Sequence, residues 1–426
     1  MPRYVIVGGS AGGIGAVEAI REVDPVGTIT AISVEPFPQY SRPMIADFLS
    51  GEAALEKMKY RDDEFWKKNR VELLTGREAV SLNLADKHVE LDQGERISFE
   101  KLLIATGGRP FVPKMKGANR DGVFTFTTFS DAERLVAKVE KGEKAVVIGG
   151  GLIGVSVAEA LCKRGLDVTI VELKDRVLNL ILDESASGII ENIVRQAGVK
   201  IITGETVQQI LGRNDNDATV GAVVLTNEEE LPCDLVVIAI GVVPRTELVA
   251  GTEVETNRGI LVDKFMRTSV PDVYACGDVA EAYDFIIDEN RPLPLWPIAH
   301  LGGKMAGYNM AGKKTEYPGG TSMSALKYFG IPVISVGMAN PEDDGTYEIL
   351  IYHNSERNIY KKIVLRNDII VGMIFINEIE RVGTIFYLMK NRANVKEFKQ
   401  VLASENFGLA ALPSPIRERM FMGRLV

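Results

Sequence analysis

Two stretches of this chain place glycines and one acid where a dinucleotide's pyrophosphate and ribose would need them. In "KAVVIGGGLIGVSVAEALCKRGLDVTIVE" (144–172), Gly149, Gly151 and Gly154 form G-x-G-x-x-G between an apolar run and a helical pattern. Glu172 ends the next apolar run, eighteen residues after Gly154. The first glycine permits a tight turn, the second lets a pyrophosphate approach the backbone, and the third lets helix and strand pack closely, while the acid accepts from a ribose. Ile153 lies in the same turn, at the amide-rich start of the helix. A carboxylate at Glu172 repels a 2′-phosphate, which favours NADH over NADPH. Lys174 and Arg176 follow closely and blunt that repulsion. The earlier stretch "RYVIVGGSAGGIGAVEAIREV" (3–23) repeats the plan with Gly8, Ser10 and Gly13, and its acid is Glu35, twenty-two residues past Gly13. Ser10 replaces the middle glycine, but its side chain is small and can turn aside. From Ala11 and Gly12 a helix would offer its N-terminal amides and dipole to a phosphate. Two such sites imply two dinucleotides, a hydride donor and a hydride acceptor being the natural pair.

The surrounding elements suit that task. Each copy closes on a buried apolar strand running into glycine, "KLLIATGG" (101–108) and "DLVVIAIG" (234–241), the latter ending at Gly241. Such β-branched runs fit parallel strands covered by helices on both faces. Between the second and closing strands of the first copy, "VELLTGREAVSLNLADKHVELDQGERISF" (71–99) alternates around Asp92, Gln93 and Gly94, as a small antiparallel element would. "GGRPFVPKMKGANRDG" (107–122) reads as a crossing between domains, and "VVPRTELV" with "RGILVDKFMRTSVPDVYACGD" as the return. From about Gly319 a third region begins. Strand patterns "PVISVGMA", "EILIYH", "YKKIVLR" and "IIVGMIFI" precede helical "ERVGTIFYLMKNR" and "VKEFKQVLAS".

With 426 residues the chain exceeds what one hydrophobic core supports, so two or three domains are expected. The three cysteines, Cys162, Cys233 and Cys276, are scattered, as are His88, His300 and His353. Disulfides, zinc sites and protein-held Fe–S clusters are therefore not expected. The net charge of -9 argues against a general nucleic-acid binder. The acidity is uneven: residues from 319 onward carry 13 Lys+Arg against 11 Asp+Glu, the rest 36 against 47. No window has the roughly 18 apolar residues of a membrane span, and the start "MPRYVIVGGS" lacks the features of a secretory signal. The cytoplasm is the expected compartment.

These motifs resemble the FAD/NAD(P)-dependent pyridine nucleotide-disulfide oxidoreductase superfamily. "LLIATGGRP" (102–110) and "VVIAIGVVP" (236–244) are similar to its two closing motifs, "TSVPDVYACGDVA" (268–280) to its FAD-binding aspartate segment, and "WPIAHLGGKMAGYNMAG" (296–312) to the helix aimed at the flavin ring. The resemblance covers roughly residues 1 to 318, in the family's order. It implies an α/β fold with two Rossmann-like domains, each built on a parallel central sheet, plus an α+β C-terminal interface domain. A discontinuous FAD domain would span 1–110 and 245–318, an NAD(H) domain 111–244, and the interface or dimerisation domain 319–426. In that frame Gly8, Ser10, Ala11, Gly13 and Glu35 bind the ADP half of FAD, with Ala79 near the adenine. Thr106, Gly107 and Arg109 line the flavin side, and Asp278 holds the ribityl chain. Amides near Ala299 stabilise negative charge on reduced flavin, and Trp296 stacks on the ring or shields it.

The disulfide-reducing members need a cysteine pair in the first long helix, or a single cysteine near residues 42–44, and this chain has neither. In its place "EPFPQYSRPMIADFLSGE" (35–52) carries Tyr40, Arg42 and Pro43, a "YxRP" segment that resembles the ferredoxin reductase, rubredoxin reductase and nitrite-reductase flavodomain branch. Arg42 is a candidate flavin-site cation. Where ferredoxin reductases of that branch keep a lysine near the flavin paired to a glutamate, this chain has Asp47 and Ser156. The expected activity is hydride transfer between NAD(H) and FAD and single-electron exchange between FAD and an Fe–S carrier protein, in either direction. The chain would act as a free reductase, as a homodimer, or as the NAD-reactive subunit of a larger complex. A peroxide-forming NADH oxidase and an NADH-responsive sensor remain as alternatives.

Overall fold

The computed structural model describes residues 2–37, 39–139, 144–213, 216–342, 345–405 and 407–422. The chain divides into two compact units, one of Met1–Pro113, Phe124–Lys141 and Ile240–Gly320, the other of Lys114–Val123, Gly142–Ala239 and Thr321–Val426.

In the first unit a parallel sheet runs in the order Val273–Ala275, Lys101–Ile104, Arg3–Val7, Thr28–Ser33, Val71–Thr75. Its inner strands are buried on both faces, as "YVIV" and "LLI" require. Helix Ala11–Val23 follows the first strand and packs against helix Trp296–Met310 with almost no side-chain spacer. A Cβ on Gly303 would stand 1.9 Å from the carbonyl oxygen of Gly12, and one on Gly15 would stand 2.4 Å from that of His300. Only glycines allow this approach, which fixes the start of the second helix over the turn of the first. The antiparallel element expected after Thr75 is a three-stranded sheet of Ala79–Asn83, His88–Leu91 and Arg96–Ser98.

The second unit contains a parallel sheet whose inner order is Lys200–Thr203, Asp167–Glu172, Lys144–Ile148, Leu235–Ile238, with helix Leu152–Lys163 after its own glycine turn. It also holds the C-terminal antiparallel sheet, ordered Met323–Tyr328, Ile331–Gly337, Ile369–Ile376, Ile359–Arg366, Glu348–Asn354. Hydrogen bonds join this sheet to residues 181–183. Ser335 Oγ donates to the carbonyl of Ile181 at 2.6 Å, and Tyr360 Oη donates to Asp183 at 2.6 Å. Lys362 adds an ion pair to the same carboxylate at 2.9 Å.

One expected element differs. "VKEFKQVLAS" forms only the short 3-10 turn Lys399–Val401 rather than a helix. Val395 donates its N–H to Asp368, and Lys399 pairs with Glu348 and Asp368, so neighbouring segments take up the groups that a helix would have used. Val395, Phe398 and Leu402 are buried in this arrangement.

Candidate functional site

The first glycine turn is built by close backbone approach. Gly8 has φ +123°, and a Cβ there would meet the carbonyl oxygen of Ala105 at 2.1 Å, while one on Gly13 would meet that of Gly8 at 2.0 Å. Ser10 precedes the helix in extended conformation and makes no capping bond with its side chain. Ile14 donates to Ser10, so the unshared donors of the first turn are those of Ala11, Gly12 and Gly13. The neighbouring strand brings Thr106, whose Oγ1 donates to Arg245 at 2.9 Å, and Gly107, which faces open space at φ +72°. Arg109 is placed in an exposed pair with Glu247 at 2.7 Å, on the ribbon of Gly108–Pro110 and Val242–Pro244. Gly241 enters that ribbon at φ +131° and accepts from Phe111. Ala79 begins its strand packed against the core of the first unit.

Glu35 is held by two side chains. Tyr40 Oη donates to Oε2 at 2.6 Å, and Arg42 pairs with Oε1. Tyr40 also accepts from Phe129 N at 2.9 Å, and Arg42 Nη1 donates to the carbonyl of Thr127 at 2.7 Å. Pro43 lies in the 3-10 turn Arg42–Met44. Burial works against the Arg42 cation, yet Tyr40, Glu35 and Asp278 outweigh it and raise its pKa above the ordinary guanidinium value. Burial raises the carboxyl of Asp278, with Arg42 acting against it. Among the described residues the one hydrogen-bond donor to that carboxylate is the backbone N–H of Asp278 itself.

The helix Trp296–Met310 requires one correction. Ala299 spends its N–H on Leu295 at 2.9 Å, so the unshared donors belong to Trp296 and Ile298, Pro297 having none. The Trp296 ring meets Tyr60 edge-on at 4.1 Å and lies parallel to His300 at 6.4 Å, and its Nε1 is buried without a partner. His300 is engaged with Glu18 at 3.2 Å, which also pairs with Arg61. Asp47 lies on helix Ile45–Ser50 of the first unit, its carbonyl accepting from Glu52 and Ala53. Ser156 lies in the second unit, where its hydroxyl donates back to Leu152 at 2.9 Å.

At the second turn Gly149 has φ +103°, and a Cβ on Gly154 would stand 1.9 Å from its carbonyl oxygen. A Cβ on Gly151 would meet nothing within 4 Å. Val155 donates to Gly151, leaving Leu152, Ile153 and Gly154 as unshared donors. Glu172 accepts from Gly150 N at 2.6 Å through Oε2 and from Lys174 N at 2.8 Å through Oε1. A carboxylate offers about four acceptor positions, so both acids keep two for the vicinal hydroxyls of a ribose. Motif spacing alone does not reveal Tyr40 as a partner of Glu35, nor Gly150 and Lys174 as partners of Glu172. The only signal for the first was an aromatic and an arginine five and seven residues after the acid.

The thiols sit apart from such chemistry. Burial pushes Cys276 and Cys233 up to about 12, which keeps both protonated at neutral pH. Burial also raises Cys162, which donates to the carbonyl of Ala197 at 3.3 Å. All three are free.

A sequence profile of the pyridine nucleotide-disulphide oxidoreductase family matches residues 2–303. The chain belongs to this family. Its members are FAD- and NAD(P)-dependent oxidoreductases, and the two turns, the half-filled acids and the unpartnered Trp296 Nε1 fit such groups. A second profile, the rubredoxin NAD+ reductase C-terminal domain, matches residues 323–393. The NADH-dependent phenylglyoxylate dehydrogenase subunit epsilon of Aromatoleum evansii is 31% identical over 396 residues, 92% of each chain. The nitrite reductase [NAD(P)H] of Bacillus subtilis is 29% identical over 405 residues, 94% of this chain; the chain spans about half of that relative's length, 48%. Among solved structures, an NAD-dependent persulfide reductase from A. fulgidus superposes with a TM-score of 0.88 at 26% identity, covering 99% of this chain and 83% of that one. Among the described residues no helix is long and apolar enough to cross a membrane.

Proposed function

We propose that this chain is an FAD-dependent NADH oxidoreductase that exchanges single electrons with an Fe–S carrier protein, or with an Fe–S subunit of a larger assembly, in the cytoplasm. The observation that carries the reading is the combination of two ribose-ready acids with cysteines that burial keeps protonated. Bound FAD would supply the conversion between paired and single electrons that no side chain of this sequence performs. In the first unit the donors of Ala11, Gly12 and Gly13 face the pyrophosphate, Glu35 accepts from the ribose, and Asp278 accepts from the ribityl chain. Thr106 and Gly107 border the ring, and the donors of Trp296 and Ile298 favour negative charge beside it. In the second unit Gly149, Gly151, Ile153, Gly154 and Glu172 hold NADH, and the carboxylate disfavours a 2′-phosphate. The match to a rubredoxin NAD+ reductase C-terminal domain supports a one-electron partner, and the similarity to a subunit of an NADH-dependent dehydrogenase supports a place in a larger assembly. The domain division follows the same reading, with 1–110 and 245–318 for FAD, 111–244 for NADH and 319–426 as an interface domain.

The test is an anaerobic stopped-flow titration of the purified flavoprotein with NADH and with NADPH, followed by addition of a reducible Fe–S carrier. Rapid flavin bleaching by NADH, slower bleaching by NADPH and fast re-oxidation by the carrier are expected. Bleaching by neither nucleotide overturns the reading. Oxygen consumption as fast as carrier reduction replaces it with a peroxide-forming oxidase.

A further inference from the structure

The two ribose acids are held differently. Glu172 receives backbone donors from its own glycine turn and from the residue two places on, so its site is closed locally. Glu35 receives side chains whose other contacts lie about ninety residues away in sequence, at Thr127 and Phe129. Phe129 begins helix Phe129–Val139, and the turn leading into it is fixed by the carboxylate of Asp131, which accepts from Thr127 N at 3.0 Å and Thr128 N at 3.1 Å. The Phe129 ring packs on Tyr40 at 5.9 Å and on Phe48 at 4.7 Å. A continuous path therefore joins the carboxylate to the helix through one phenol and one guanidinium, both bridging.

We infer that Tyr40 and Arg42 are positioning residues that couple FAD binding at Glu35 to the ordering of residues 127–139. The inference rests on the reading of Glu35 as the FAD ribose acid. A ribose taking the two remaining acceptor positions of Glu35 holds the carboxylate in the orientation that Tyr40 and Arg42 require, and so holds Thr127 and Phe129 in place. By reciprocity, a helix already docked leaves less to order when FAD binds, and a loosened helix weakens FAD. Among the described residues the Glu172 carboxylate is held by Gly150 and Lys174 alone, and NADH is expected to leave the exchange of residues 127–139 unchanged.

Hydrogen exchange of the full-length protein, with FAD bound and after flavin removal, tests this. In the parent, FAD is expected to slow exchange in helix Phe129–Val139 by about tenfold or more, with helix Glu184–Gln196 of the other unit as control. Tyr40→Phe keeps the ring and removes the bridge; Arg42→Lys keeps the charge but cannot span both partners. Each is expected to weaken FAD by about tenfold and to lose most of the FAD-dependent slowing. A merely structural role would instead alter exchange equally with and without FAD. FAD bound to the parent with no change in helix Phe129–Val139 overturns this inference alone. Failure of the parent to bind FAD overturns both it and the reading beneath it.

Discussion

Two glycine-to-alanine substitutions, identical in chemistry, are expected to act with opposite sign. Gly303 lies inside helix Trp296–Met310, where a Cβ would stand 1.9 Å from the Gly12 carbonyl oxygen, 2.7 Å from its carbon and 2.8 Å from its Cα. Carbon–oxygen contacts settle near 3.3 Å, so the helices must separate by about 1.4 Å. Gly188 lies inside helix Glu184–Gln196 with nothing within 4 Å of the same Cβ. Alanine gains about 1 kcal/mol of helix propensity at either place. At Gly188 nothing opposes it, and the gain is about 0.5–1 kcal/mol. At Gly303 overpacking against immovable backbone costs about 3 kcal/mol, which leaves a net loss of about 2 kcal/mol. For units of this size that is a fall in Tm of about 4–8 °C for Gly303→Ala and a rise of about 1–4 °C for Gly188→Ala. Calorimetry of the two variants, with flavin content read from absorbance, measures both effects. Gly303→Ala should also release FAD more readily, because the helix that carries Trp296 is displaced. A Gly303→Ala protein as stable as the parent, with full flavin, would refute the reasoning that backbone contact sets the position of this helix.

Glu172→Gln keeps an acceptor for Gly150 N but removes the charge; NADH affinity should fall by about tenfold and the preference for NADH over NADPH should narrow, as binding titrations with both nucleotides would show. The carboxyl of Asp183 stands below its ordinary value, because Tyr360, Lys362 and the Ala186 amide together outweigh burial. Its stabilisation is therefore complete above the unfolded pKa and lost as pH falls through the lower folded one. Asp183→Asn, which strands the Lys362 ammonium, should cost about 3 kcal/mol at neutral pH, and urea melts should show the gap to the parent closing in strong acid. Mass spectrometry after mild alkylation at pH 8 should find Cys162 modified well before Cys233 and Cys276, whose thiols stay protonated; early modification of Cys276 would place it in reach of redox chemistry.

Much of the fold was legible because its decisive contacts are local. A glycine turn between a strand and a helix is constrained by atoms within about ten residues, so Gly8, Gly13, Gly149 and Gly154 could be read from spacing, and the acids at strand ends from their distance along the chain. Helix Trp296–Met310 was recognisable, but not that its Pro297 and the Leu295 carbonyl shift the unshared donors from Ala299 to Trp296 and Ile298. "VKEFKQVLAS" has helical spacing of its apolar residues, yet Asp368 and Glu348, distant in sequence, claim Val395 N–H and the Lys399 ammonium. The resemblance puts Arg109 on the flavin side, but its exposed pair with Glu247, brought alongside by an antiparallel ribbon, is not legible in the motif. In each case the missing information is which long-range group reaches the residue first. Glu35 is the clearest instance: spacing marks it as an acid for a ribose, but its orientation depends on Tyr40 and Arg42, and theirs on Thr127 and Phe129. A carboxylate positioned by so distant a segment has a ligand affinity that depends on that segment's order, which motif spacing does not encode.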